Sequence, residues 1–79
     1  MSVAVRLFAG AAEAAGVEAT TASATTEDAL RTELALRFGE GFGPVLAKCS
    51  LMADGELLEP GEALPPGATV DVLPPFAGG

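Results

Sequence analysis

Histidine, tyrosine and tryptophan are absent from this 79-residue chain, and cysteine occurs once, at Cys49. Without histidine the chain has neither the usual general base at neutral pH nor the commonest metal ligand, which weighs against an enzyme. A single cysteine cannot close an internal disulfide, so no oxidising compartment is implied and the cytoplasm is the default location. Basic side chains are also scarce, four against eleven acidic ones, for a net charge of −7. A field of that sign repels phosphate backbones and anionic lipid, so neither nucleic acid nor a membrane is expected as a partner, whereas a basic protein surface is. The apolar clusters fall far short of the roughly 18 consecutive residues that cross a bilayer. Arg6 is the only basic residue before Arg31, so no signal peptide is read either. What is present is 49% apolar composition, enough for one domain with one small core and no second domain.

Alternation marks the two ends of the chain as strands. Val3, Val5 and Leu7 interleave with Ala4, Arg6 and Phe8 in a first strand over 2–8, and Thr69 to Leu73 alternates again before Pro74-Pro75, which offers no ladder donor and stops the strand. Between them, 9–16 is alanine-rich and closed by Gly10 and Gly16, consistent with a turn, a brief helical turn or irregular chain. Threonine-bearing 17–24 reads as a strand pairing with the first. Thr25-Thr26-Glu27-Asp28 supplies hydroxyl acceptors and acidic residues suited to a helix start, and Leu30, Leu34 and Phe38 then recur every fourth residue. Arg31, Thr32, Glu33 and Arg37 fall mostly on the opposite side, and Gly39 and Gly41 end the helix. Residues 40–48 read as a connecting loop that tucks Phe42, Val45 and Leu46 inward. Asp54-Gly55 between apolar runs predicts a tight hairpin within 49–58, and the proline- and glycine-bearing stretch 59–67 is a loop.

This order predicts an α+β fold, a mixed sheet of four to five strands with one main helix on one face, in the ββαβ(β) arrangement of the ubiquitin-like β-grasp. With the first and last strands adjacent and Val5, Leu7, Val70 and Val72 in the core, Phe8 and Leu73 are both expected on the face opposite the helix, turned to water.

The ending Asp71-Val72-Leu73-Pro74-Pro75-Phe76-Ala77-Gly78-Gly79 resembles that of the MoaD/ThiS family of ubiquitin-like sulfur carriers. So do the start Val5-Arg6-Leu7-Phe8-Ala9, the helix opening Thr26-Glu27-Asp28-Ala29-Leu30 and the segment Leu64-Pro65-Pro66-Gly67-Ala68-Thr69-Val70, which are similar to molybdopterin synthase small subunits at the same relative positions. A terminal Gly-Gly alone arises by chance in about 0.5% of chains, but Pro-Pro-x-x-Gly-Gly after a strand in so short a chain is far more specific.

The resemblance implies a β-grasp domain over 1–75 and a flexible tail over 76–79. It also implies a non-catalytic carrier subunit of a molybdopterin synthase-type complex, whose reacting group is the carboxyl of Gly79. An E1-like adenylating enzyme would activate that carboxyl with ATP and Mg. A sulfur donor such as a persulfide-bearing protein would convert it to a thiocarboxylate, and the molybdopterin synthase large subunit would take the sulfur for a pterin precursor. The chain itself would bind no cofactor and no metal, and it lacks the phosphate loop G-x-x-x-x-G-K-[ST], since Lys48 follows Ala47. Partner contacts are expected at Phe8, Leu73, Pro75, Phe76, Ala77 and Gly78. Extended, 76–79 would reach about 13 to 14 Å from the domain, and glycine, lacking a Cβ, suits a narrow tunnel. Cys49 reads as a small core residue, because no histidine exists to activate it. The rivals are a carrier for thiamine or cysteine synthesis, a ubiquitin-like modifier conjugated to other proteins, and a β-grasp binding module with an inert tail.

Overall fold

The structure, a computed structural model, describes residues 2–75. Its sheet has five strands in the order β2-β1-β5-β3-β4, comprising β1 (Val3–Leu7), β2 (Ala19–Ala22), β3 (Ser50–Ala53), β4 (Glu56–Leu57) and β5 (Thr69–Leu73). β1 and β5 are parallel neighbours, with Val5 opposite Val70 and Leu7 opposite Val72, while β2 pairs antiparallel with β1 and β3 antiparallel with β5. Period-2 alternation in both central strands sends Val3, Val5, Leu7, Val70 and Val72 into the core and leaves Ala4, Arg6, Asp71 and Leu73 on the other face. This is the ubiquitin-like β-grasp arrangement expected from the element order.

The main helix, α2 (Glu27–Phe38), begins at Thr26, whose hydroxyl accepts from the Ala29 amide, and it buries Leu30 and Leu34 completely. Two shorter helices accompany it. α1 (Ala9–Ala15) occupies the alanine-rich stretch and ends at Gly16, whose φ of 82° lets its N–H reach back to the Ala12 carbonyl. α3 (Gly43–Ala47) replaces part of the connecting loop expected over 40–48. Pro44 in its first turn is pre-set for helical φ, and Phe42 and Leu46, four residues apart, are both buried. The Phe42 ring meets Phe38 edge-on at 5.2 Å, so α3 closes over the end of α2. The Asp54-Gly55 hairpin turn forms as expected, with φ of 51° and 88° at the two central residues, a combination that Asp-Gly accommodates.

One buried charge ties the loops together. Glu27 is 4% exposed and accepts hydrogen bonds from the Gly61 amide at 3.0 Å and from Arg31 Nε. Arg31 also donates to the Leu46 and Cys49 carbonyls, both at 2.8 Å. The helix pattern placed Arg31 on the outer side; its long side chain instead runs back under α3 and caps the carbonyls there. Among the described residues no helix is long and apolar enough to cross a membrane.

Candidate functional site

The parallel pairing of β1 and β5 brings their C-terminal ends together, and that geometry builds the candidate site. The Phe8 amide donates to the Val72 carbonyl at 3.2 Å, so Phe8 leaves β1 directly beside Leu73. Phe8 is 38% exposed. Leu73 is half-buried rather than open to water, because it lies between β1 and β3, where it pairs with Ser50. Pro75, two residues on, is exposed. The sequence places Phe8 and Leu73 on one face and the structure brings these two together there, whereas Pro75 lies with Pro44, Val45 and Lys48. Phe76, Ala77, Gly78 and Gly79, the remaining expected site residues, lie outside the described residues.

Three features of this surface were not anticipated. Arg6 and Asp71 pair across β1 and β5 with two parallel bonds, Nε to Oδ1 at 2.7 Å and Nη2 to Oδ2 at 3.0 Å. The Asp71 carboxylate, by accepting these bonds and by its charge, raises the Arg6 guanidinium above its usual pKa. The same guanidinium stands 5.7 Å from the Phe8 ring centroid, so Phe8 is flanked by a cation that Asp71 holds in place. The signal was available: Arg6 and Asp71 occupy polar positions of opposite charge on strands already expected to be neighbours.

The second feature is Met52 and Leu57, which follow Asp71 across the sheet in register, Leu57 being 62% exposed. The open face therefore carries apolar groups on both sides of the Arg6–Asp71 pair. The third is a shallow hollow of about 180 Å³ where the chain leaves β5, lined by Pro44, Val45, Lys48, Pro74 and Pro75. Lys48, the only lysine of the chain, thus stands at the base of 76–79.

Nucleophilic chemistry finds no support in the side chains. Cys49 is buried, and its Sγ donates to the Val45 carbonyl at 3.2 Å. Burial pushes its thiol pKa up, with the nearby Arg31 charge pulling the other way to a lesser degree. Among the described residues no group of three or more Cys, Asp or Glu side chains is placed to hold a metal ion.

The whole chain superimposes on SAMP1 from Haloferax volcanii, covering 100% of both chains with a TM-score of 0.81 and 27% identity. A protein assigned as molybdopterin converting factor, subunit 1, from Pyrococcus furiosus matches with a TM-score of 0.81 and 26% identity over 96% of this chain and 99% of that one. Subunit 1 in the complex of molybdopterin-converting factor subunits 1 and 2 from Helicobacter pylori 26695 matches with a TM-score of 0.72 and 28% identity over 100% of both chains. No curated protein sequence matches the chain significantly. The ThiS family matches residues 5–79. A β-grasp sheet, an apolar group beside the end of its last strand and a family match running to the last residue together place the chain: it belongs to the ThiS family and shares the ubiquitin-like fold of these neighbours.

Proposed function

We propose that the chain is a sulfur carrier of the molybdopterin synthase type, working through the carboxyl of Gly79 on a tail formed by 76–79. The observation that carries this reading is the parallel pairing of β1 with the central strand β5, which ends at Leu73 beside Phe8 and leads in sequence through Pro74-Pro75 to Gly78-Gly79. The family match to Gly79 and the resemblance to molybdopterin-converting factor subunit 1 support it.

Chemistry explains why a carrier would need partners and no catalytic side chains. A carboxylate is a poor acyl donor because its leaving group would be oxide. An E1-like enzyme using ATP and Mg would join the carboxylate to AMP with release of pyrophosphate, giving a good leaving group. The sulfur of a persulfide-bearing donor would displace AMP, and thiol cleavage of the resulting sulfur–sulfur bond would leave a thiocarboxylate on Gly79. That soft nucleophile would attack a pterin precursor held by a large subunit and, after hydrolysis, return as the carboxylate. The subunit 1–subunit 2 complex of the Helicobacter pylori factor supports a large-subunit partner.

A second reading has a specific observation behind it. SAMP1, which is also described as a small archaeal modifier protein, resembles this chain as closely in fold as the Pyrococcus furiosus protein does. Incubation with an E1-like enzyme, ATP and a sulfur donor, followed by mass spectrometry, separates the two. A carrier gains the mass difference between sulfur and oxygen, whereas a modifier appears as an adduct on lysines of other proteins. Deleting Gly79 should abolish sulfur gain while leaving Tm in place, and one residue added after Gly79 should do the same by moving the carboxyl about 3.5 Å. Gly78→Val should weaken adenylation by narrowing backbone choice. A Gly79-deleted chain that still gains sulfur would overturn the proposal.

A further inference from the structure

We propose that the Glu33–Arg37 pair on α2 keeps the β2 edge of the sheet closed to strand addition by a second copy of this chain. β2 pairs with β1 alone, so its other side is a sheet edge. Because the Leu7 amide donates to the Glu18 carbonyl, Glu18, Thr20 and Ala22 turn their backbone groups toward β1. Ala19, Thr21 and Ser23 therefore present theirs outward.

Edges are usually blunted by charge, proline, glycine-rich bulges or shortness. The run from Ala19 to Thr26 contains no charged residue, no proline and no glycine, and it is rich in β-favouring threonine. The opposite edge differs: β4 is two residues long and begins with Glu56. β2, four residues long, thus carries no charge, proline or glycine of its own, and α2 supplies a charged safeguard from outside the strand.

Arg37 Nη1 donates to the Thr21 carbonyl, and to Thr20 Oγ1 at 3.0 Å, while Nη2 holds Glu33 Oε2 at 2.7 Å. The Glu33 carboxylate accepts from the Ser23 amide at 3.1 Å and the Ala24 amide at 3.0 Å. The outward carbonyl of Thr21 and the outward amide of Ser23 are the groups an incoming strand would pair with, and both are already taken. The occupant excluded is β2 of a second copy. Two such strands run antiparallel about a two-fold axis would match outward donors to outward acceptors, and neither would bring a charge into the pairing.

The test is the double variant E33A/R37A, which keeps the net charge and places the best helix former at both positions of α2. In sedimentation or light scattering at rising concentration, the wild-type chain stays at monomer mass and E33A/R37A climbs toward twice that mass. Adding Thr21→Pro to the double variant removes an outward amide donor and returns it to the monomer. A natively folded E33A/R37A that remains monomeric at every concentration overturns the proposal. So does a dimer that Thr21→Pro leaves intact, since association then runs through another surface. Should the double variant fail to fold, hydrogen exchange on the wild-type chain decides. The closed edge requires protected Ser23 and Ala24 amides, and free-peptide exchange rates at both would refute it.

Discussion

Replacing Arg31 with methionine keeps most of the aliphatic stem and removes the guanidinium, stranding the groups it serves. Glu27, whose side chain is 6% exposed, retains only the Gly61 amide as a donor, and the Leu46 and Cys49 carbonyls lose their charged partner. Removing one member of a buried ion pair costs about 3–5 kcal/mol, chiefly because the remaining charge stays desolvated. Arg31 is 30% exposed, so water enters part of the vacated space and the lower end, about 3 kcal/mol, is the expected loss. At about 4–8 °C per kcal/mol for a domain of this size, Tm should fall by about 12–24 °C. A domain of this length has a total of about 4–12 kcal/mol, so the variant should still fold in the cold. The companion Glu27→Leu/Arg31→Met removes both charges together and should recover most of the loss, because apolar replacement of a buried pair is often near neutral. Thermal and urea unfolding followed by circular dichroism measure both. An unchanged Tm for Arg31→Met, or a double variant as unstable as the sum of the singles, would refute the account of Glu27 as a desolvated charge.

Leu73→Asp should leave the fold largely intact, since Leu73 is on the open face, but it should cost several kcal/mol of association with a large subunit by placing a charge in a desolvated contact. Unchanged calorimetric affinity in a well-folded variant would rule that contact out. Cys49→Ser should still accept and deliver sulfur, because Cys49 is buried with its thiol pKa raised; loss of sulfur gain with the fold preserved would mean the thiol takes part. The Asp28 carboxyl is held below its usual pKa, first by the Thr26 hydroxyl and then by backbone amides. A lowered folded-state pKa contributes stability above the ordinary carboxylate range that is lost as pH falls through the lowered value. Asp28→Asn should therefore flatten the acid limb of a Tm-versus-pH curve and leave its neutral region nearly level, and an identical acid limb would contradict this.

The parts of the fold legible in the sequence are those where one local rule acts alone. Alternation located β1 and β5, hydroxyl capping and four-residue spacing located α2, and Asp54-Gly55 located the hairpin. α3 reads as loop in the sequence because Gly39, Gly41 and Gly43-Pro44 look like breakers. In the fold Gly39 ends one helix and Pro44 starts the next. Arg31 was placed outside because helix periodicity tracks the Cα position and not where a long side chain ends. For the site, period 2 together with parallel pairing was enough to put Phe8 and Leu73 side by side. The half-burial of Leu73 was not legible, since it depends on β3 arriving next to β5 from a distant part of the chain. The role given to Gly79 rests on resemblance, because no periodicity distinguishes a reactive carboxyl from an ordinary one.

The basic residues show how the chain reconciles a strongly acidic composition with a defined face. All three arginines are engaged internally: Arg31 inside the loop network, Arg37 across the β2 edge, and Arg6 against Asp71 between the two central strands. Lys48 stands apart from these pairs, at the hollow where 76–79 begins. Three arginines thus neutralise three carboxylates at the places where the fold needs a charge held, and the other acidic side chains give the surface its sign. A basic partner drawn by that field would meet a sheet face whose centre is locally neutral, with Phe8 and Leu73 at one end and Met52 and Leu57 across it. Long-range attraction then comes from the net charge, and short-range apolar contact from the groups that flank the Arg6–Asp71 pair. That division favours fast encounter over tight holding, as the proposed carrier, passing between an activating enzyme and an acceptor, would require.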